Sequence, residues 1–180
     1  MKFNPIIIIV FAIFINCNNS IKKQENKSKL NKIKVSLNSK NDSGTSGFAS
    51  LSEKDGEVIL EAHIMGLNPG MHAIHIHEKA DCSASDGKSA GGHWNPTFQN
   101  HGAWGDKDSG FHRGDIGNFT ADSTGHGMVM FKTDLWCLGC DDPIKNLIDK
   151  SIIIHAGEDD FISQPSGAAG ARVSCAGIIK

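Results

Sequence analysis

From residue 32 onward, apolar and polar side chains change places at every second position, a period that suits a strand with one buried face and does not suit a helix. Ile33, Val35 and Leu37 alternate with Lys32, Lys34 and Ser36; Val58, Leu60, Ala62 and Ile64 alternate with Glu57, Ile59, Glu61 and His63. Over 71–77, Ile74 and Ile76 take one face and His75 and His77 the other. Segments 45–51, 115–121, 127–133, 150–156 and 171–179 read as further strands, and Lys54-Asp55-Gly56 and Asn68-Pro69-Gly70 supply turn chemistry between strands. About eight short strands predict an all-β fold, an antiparallel sandwich or barrel. Two stretches break the pattern. Residues 79–113 are rich in Gly, Ser, Asp and His, and a loop that long is normally functional or disordered. Residues 134–149 hold Cys137 and Cys140 with only a short helix-like spacing of Ile144, Leu147 and Ile148.

The chain is long enough for one domain with tails, and 39% apolar residues are adequate for one core. Its net charge of −2 hides an asymmetry. Residues 18–40 hold seven Lys and one Glu, a balance of +6, whereas 41–180 hold ten Lys or Arg and nineteen Asp or Glu, a balance of −9. So acidic a domain is a poor partner for phosphate backbones, and nucleic acid is not expected as a ligand.

At the amino terminus, Met1 and Lys2 precede the apolar run Ile6–Ile15. Ten residues are too short to cross a hydrocarbon core about 30 Å thick, so the run reads as an export signal. Cys17 follows directly, in Phe14-Ile15-Asn16-Cys17, and residues 1–17 resemble a bacterial lipoprotein signal in which Cys17 is lipidated. Phe14 and Asn16 depart from the usual form of that signal, and an ordinary signal with a chance cysteine is the other reading. Either way the chain is expected in the cell envelope or periplasm, tethered to a membrane if Cys17 carries lipid. Residues 18–32 read as a flexible basic tether and 33–180 as the folded domain. Export permits disulfides, and lipidation of Cys17 would leave Cys82, Cys137, Cys140 and Cys175, an even number.

Six of the nine histidines fall in purposeful places. His75 and His77, two apart on a strand, project from one face. His93, His101 and His112 punctuate the long loop, Asp115 follows, and His155 ends the strand Ile152-Ile153-Ile154. So many imidazoles with a carboxylate on an acidic exported domain point to metal.

The motifs His75-Ile76-His77, Cys82, Gly92-His93-Trp94-Asn95-Pro96, His101-Gly102 and His112-Arg113-Gly114-Asp115-Ile116-Gly117-Asn118 resemble the copper/zinc superoxide dismutases of the bacterial, exported type. So do Ile154-His155-Ala156-Gly157 and the run Gly167 to Cys175, and the resemblance spans about residues 33–179. It implies an eight-stranded Greek-key barrel with long metal-binding and active-site loops, one copper and one zinc per subunit, and superoxide anion as substrate. Carried over by residue, copper falls to His75, His77, His93 and His155, and zinc to His93, His101, His112 and Asp115, with His93 bridging. Four imidazoles suit tetragonal Cu(II), and three imidazoles with a carboxylate suit tetrahedral Zn(II). Asp159 matches an outer aspartate that links a copper ligand to a zinc ligand, and Arg172 the arginine that draws in the anion. His93 is implied to carry a proton to the forming peroxide, and with Arg172 makes up the catalytic pair.

Relatives often add a lysine near that arginine; Pro165 stands in its place in Ser163-Gln164-Pro165-Ser166-Gly167, which predicts weaker steering of the anion from this side. Cys82 and Cys175 match the family's disulfide, and closing so long a loop stabilises by about 4–5 kcal/mol in the chain-entropy model. Cys137-Leu138-Gly139-Cys140 lies outside the family pattern and reads as a small disulfide, a redox pair or half of a further metal site. Trp94, Trp104 and Trp136, with His63, His72 and His126, read as structural. Two other functions remain to be separated from the enzyme: a zinc-binding or metal-buffering module without turnover, and a copper-delivery protein, which would be expected to carry a separate metal-transfer segment. The family includes both monomers and homodimers.

Overall fold

The computed structural model describes residues 31–180 together with Met1. The export signal, Cys17 and the tether up to residue 30 lie outside the described residues. Eight strands follow: β1 (Asn31–Ser39), β2 (Ser46–Lys54), β3 (Glu57–Met65), β4 (Gly70–His77), β5 (Gly117–Ala121), β6 (Gly127–Thr133), β7 (Lys150–His155) and β8 (Arg172–Ile178). β1 opens at Asn31, so Asn31 and Lys32 belong to the barrel wall and not to the tether. Each predicted strand is present.

The strands close in the order β1-β2-β3-β6-β5-β4-β7-β8, each pairing antiparallel. The β3–β4 connection passes over β6 and β5, which is the Greek-key crossing. The two-residue period maps onto the wall directly. Val58, Leu60, Ala62 and Ile64 of β3 are buried inside, with Leu37, Leu51, Ile74 and Ile76, while Glu57, Ile59, Glu61 and His63 face out. Gly47 is required where β2 and β3 pass closely, because a Cβ there would lie 2.0 Å from the His63 carbonyl oxygen.

β4 and β7 depart from one-sided burial. Every residue from His72 to His77, and from Ser151 to His155, is buried. Their inner faces join the barrel core, and their outer faces are covered by the long loop. Ile153 packs outside the barrel against Ala90 and Cys175, with Cys82 alongside. That second cover explains the uninterrupted Ile152-Ile153-Ile154 run. The helix-like spacing at 144–148 forms no α-helix. Leu147 donates its N–H to the Cys137 carbonyl at 3.0 Å and is buried in the core, while Ile144 stays exposed. Among the described residues the one helical turn is the 3₁₀ turn Lys88–Ala90, inside the long loop.

Two disulfides fasten these loops. Cys82–Cys175 ties the long loop to β8 across 93 residues of sequence. Cys137–Cys140 closes a three-residue span, so of the three readings of that motif the small disulfide is the one found, with both sulfurs used. Replacing Cys175 by Ser should lower the unfolding free energy by about 2–5 kcal/mol, read from the urea midpoint, because a long loop is released in the unfolded chain. The joint change Cys137→Ser, Cys140→Ser should cost only about 2 kcal/mol, since so short a loop loses little entropy on closure.

Candidate metal centre

The centre lies on the outer face of β4 and β7, under the long loop. Strand alternation points His75 and His77 outward on β4, opposite Ile153 and Ser151. His155 ends β7 at a register shift between Ile154 and His155, where the chain pairs with Arg172 of β8. Such an irregularity re-aims a side chain out of the regular pleat. The loop is stitched to β4 by its backbone: Trp94 donates to the Ile76 carbonyl at 2.8 Å, Ile76 to Gly114 at 2.9 Å and Gly114 to Trp94 at 3.0 Å. Gly114 has no substitute there, because a Cβ would lie 2.2 Å from the Ile76 oxygen. This stitching sets His93 opposite His77.

Seven side chains thereby gather into two groups that share one member. Ligand atoms of His75, His77, His93 and His155 lie within 4.8 Å of one another, as do those of His93, His101, His112 and Asp115. All seven are buried. Their hydrogen bonds show which atom of each ring is spoken for. His75 Nε2 meets Asp159 Oδ2 at 2.8 Å, His77 Nδ1 donates to the Gly91 carbonyl at 3.0 Å, and His155 Nδ1 faces the Gly170 carbonyl at 3.4 Å. The remaining nitrogens, His75 Nδ1, His77 Nε2, His93 Nε2 and His155 Nε2, are buried without a hydrogen-bond partner. Buried polar atoms seldom stay unpaired. Four converging lone pairs are a donor set for a nitrogen-preferring cation, and copper fits it.

The second group repeats the pattern with a carboxylate. His93 Nδ1, His101 Nδ1 and His112 Nδ1 stand 2.9, 3.0 and 3.2 Å from Asp115 oxygens, and Nδ1 of His101 and of His112 has no aligned hydrogen bond. Three imidazoles and one carboxylate suit a closed tetrahedral zinc site. The outer nitrogens are again occupied, His101 Nε2 by Asp159 Oδ1 at 2.9 Å and His112 Nε2 by the Gln99 carbonyl at 3.1 Å.

The family assignment rests on this arrangement together with sequence. The copper/zinc superoxide dismutase profile matches residues 42–178. Superoxide dismutase [Cu-Zn] of Caulobacter vibrioides is 36% identical over 143 residues, 77% of this chain and 80% of that protein. The chain belongs to the copper/zinc superoxide dismutase family. The human copper chaperone for superoxide dismutase is 36% identical over 129 residues, 67% of this chain but only 43% of its own length. A crystal structure of a double mutant of a SOD-like protein from Bacillus subtilis superposes with TM-score 0.72 at 32% identity, covering 82% of this chain and 97% of that one.

Arg172 lies at the mouth of the centre. Its Nη1 donates to Gly87 O at 2.8 Å and its Nη2 to Gly91 O at 2.7 Å, and it lines a cavity of about 410 Å³ with His77, His93 and His155. Three contributors escaped the sequence reading. Asn118 clamps Asp159 from both sides, donating to its carbonyl at 2.8 Å and accepting its N–H at 2.7 Å. Gln164 does the same for the His101 backbone, at 2.9 Å each way. Gly167 leaves room for the Asp159 carboxylate: a Cβ there would lie 1.8 Å from Oδ1 and 2.6 Å from His101 Nε2. Only the glycine, at φ +67, carries a hint in sequence. Gly167→Ala should displace Asp159 and lower zinc affinity about 10- to 100-fold, measured by chelator competition.

Protonation follows burial and carboxylate contact. Burial holds His93 down to about 4 against the pull of Asp115, and burial with the neighbouring imidazoles holds His77 and His155 well below the ordinary range. Burial also opposes charge on His101, yet Asp115 and Asp159 on its two nitrogens raise it to about 9. The same contacts keep both carboxyls well below the usual range despite burial. In the metal-free protein His93 therefore contributes stability above about pH 6.5, lost as pH falls through about 4. His101 has the opposite sign: full below about 6.5, lost as pH rises through about 9. The metal-free protein should melt highest near pH 6.5, and zinc, by replacing the proton on His101 Nδ1, should flatten the alkaline arm. A melting temperature that climbs steadily from pH 6.5 to 9 without metal would contradict this.

Proposed function

We propose that this protein disproportionates superoxide, 2 O₂⁻ + 2 H⁺ → O₂ + H₂O₂, with copper held by His75, His77, His93 and His155 and zinc by His93, His101, His112 and Asp115. The observation that carries the reading is His93, whose Nε2 belongs to the all-imidazole group while its Nδ1 meets Asp115 in the other. Copper supplies a one-electron couple when bound, and zinc a redox-silent charge that holds the loop.

The chain supplies the rest. Arg172 is the cation for the approaching anion, and its two backbone acceptors aim the guanidinium along the cavity wall. The side chain is half-buried, which lowers its affinity for a proton, but a guanidinium stays charged at any relevant pH. His93 Nε2 is the atom placed to carry a proton to the forming peroxide. That nitrogen is buried and has no protein hydrogen bond, so no protein acceptor competes for its proton. Asp159 keeps His75 and His101 oriented throughout.

A zinc-binding module without turnover accounts for the second group alone. It would leave the free nitrogens of His75, His77 and His155 buried and unpaired, at about 1–3 kcal/mol each. Two disulfides suit an oxidising compartment, which supports action outside the cytoplasm, and Cys17 is the residue proposed to carry the lipid tether to the envelope. The test is superoxide decay with protein loaded with copper and zinc. Arg172→Ala should slow the rate about tenfold with both metals retained, and His155→Ala should remove catalysis together with copper. Full loading with no catalysis in the unaltered protein would sink the enzyme and leave the module.

A further inference from the structure

The chain contains five methionines, and every one after Met1 is on the outside of the barrel. Met65, Met71, Met128 and Met130 are 52%, 44%, 58% and 69% exposed, and the core cluster contains no methionine at all. That reverses the usual role of the residue, whose flexible thioether fills gaps in cores. On an exposed strand face, branched or aromatic residues would serve the sheet better.

Strand register gathers these side chains. His63 of β3 stands directly opposite Met128 of β6. One outward step further along each strand come Met65 and His126, on the same solvent face. The four make a square, with imidazoles on one diagonal and thioethers on the other. The imidazole diagonal is short: the ring centroids of His63 and His126 are 6.2 Å apart, with planes 26° from parallel. Facing cross-strand residues have Cβ atoms about 5 Å apart, so the thioethers are within reach of the same point. Met130 extends the patch beside Glu61, and Met71 on the far side through Thr120.

One ring is already held as a metal-binding imidazole is held. His63 Nε2 contacts Glu61 Oε1 at 2.9 Å, and Phe48 stacks on the ring at 4.9 Å. A carboxylate on the outer nitrogen fixes tautomer and orientation and leaves Nδ1 as the donor. Nδ1 has no protein hydrogen bond among the described residues. We propose that His63, Met65, His126 and Met128 form a surface site for Cu(I) on the β3–β6 face, separate from the buried centre. Soft thioethers with imidazoles select Cu(I), while zinc prefers imidazole, carboxylate and thiolate and gains little from a thioether. The site holds reduced copper at the wall of a barrel whose own centre is built for that metal.

The test uses the full chain with its buried centre already filled with copper and zinc, titrated anaerobically with Cu(I) against the chromophoric chelator bicinchoninate. One further Cu(I) per chain should be withdrawn from the chelator, unaffected by excess zinc. The joint change Met65→Leu, Met128→Leu keeps shape and apolar area but removes both sulfurs, and should weaken this binding at least tenfold with an unchanged melting temperature. His63→Gln should do the same, and in the unaltered protein Ag(I), a redox-stable surrogate, should shift the methyl NMR signals of Met65 and Met128. No withdrawal beyond the filled centre, or equal withdrawal by the leucine variant, would overturn the site; the second result would show that the thioethers are not ligands.

Discussion

The centre depends first on one buried carboxylate. Asp159 spends one oxygen on His75 Nε2 at 2.8 Å and the other on His101 Nε2 at 2.9 Å. One charge therefore sets the ring orientation of an imidazole in each group, and in both it leaves Nδ1 turned toward the ligand set. A buried carboxylate is costly unless its lone pairs are matched. Here the two rings and the Phe161 N–H at 2.7 Å do the matching, while Asn118 clamps the Asp159 backbone. β4, β5, the long loop and the segment before β8 all meet at this residue, β5 through its backbone, so none can move without disturbing both groups.

A backbone carbonyl plays the corresponding part at the mouth. Gly91 O accepts from His77 Nδ1 at 3.0 Å and from Arg172 Nη2 at 2.7 Å. A carbonyl has two lone pairs, and both are used. The cation at the cavity mouth and a member of the all-imidazole group thus hang from one atom of the long loop. That loop is itself tied by Cys82 to Cys175, three residues beyond Arg172, and by Lys40 donating to the Cys82 carbonyl. The long disulfide acts on the position of the guanidinium as well as on the unfolded chain.

The strands were legible because a barrel wall has an inside and an outside, and a period of two records it. Burial on both sides of β4 and β7 was not legible, since the covering loop carries no periodicity. The spacing of Ile144, Leu147 and Ile148 misled for a related reason: Leu147 reaches the core through pairing beside Cys137, not by a helical face. Histidine number and placement pointed to metal, but dividing six rings between two sites took the family resemblance. Nothing in the sequence could mark the Gly91 carbonyl, and Asn118 carried no sign, within its predicted strand, that it would clamp Asp159. The methionines went unremarked because 65 and 128 become neighbours only through register.

The acidic surface and the anionic substrate are reconciled by distance. Hydroxyls and backbone N–H groups of local turns hold the exposed carboxyls of Asp81, Asp106, Asp122 and Asp160 below their ordinary values, so they stay charged into acid conditions. Screening at physiological salt has a length of about 8 Å, so exposed charges beyond that range contribute little at the cavity. What matters is the local set. Arg172 faces the cavity, and Lys88 stands beside it, though Asp86 at 3.3 Å offsets much of its charge. Glu78 also lines the cavity, where it accepts the Gly92 N–H at 3.2 Å and so holds the loop at the expense of attraction. Pro165 lines the same cavity without a charge, so under the proposed function attraction rests on the Arg172 guanidinium and on the charge the buried centre would carry when filled. Those act at short range, which makes capture a property of the last few ångströms of approach more than of the protein's overall field.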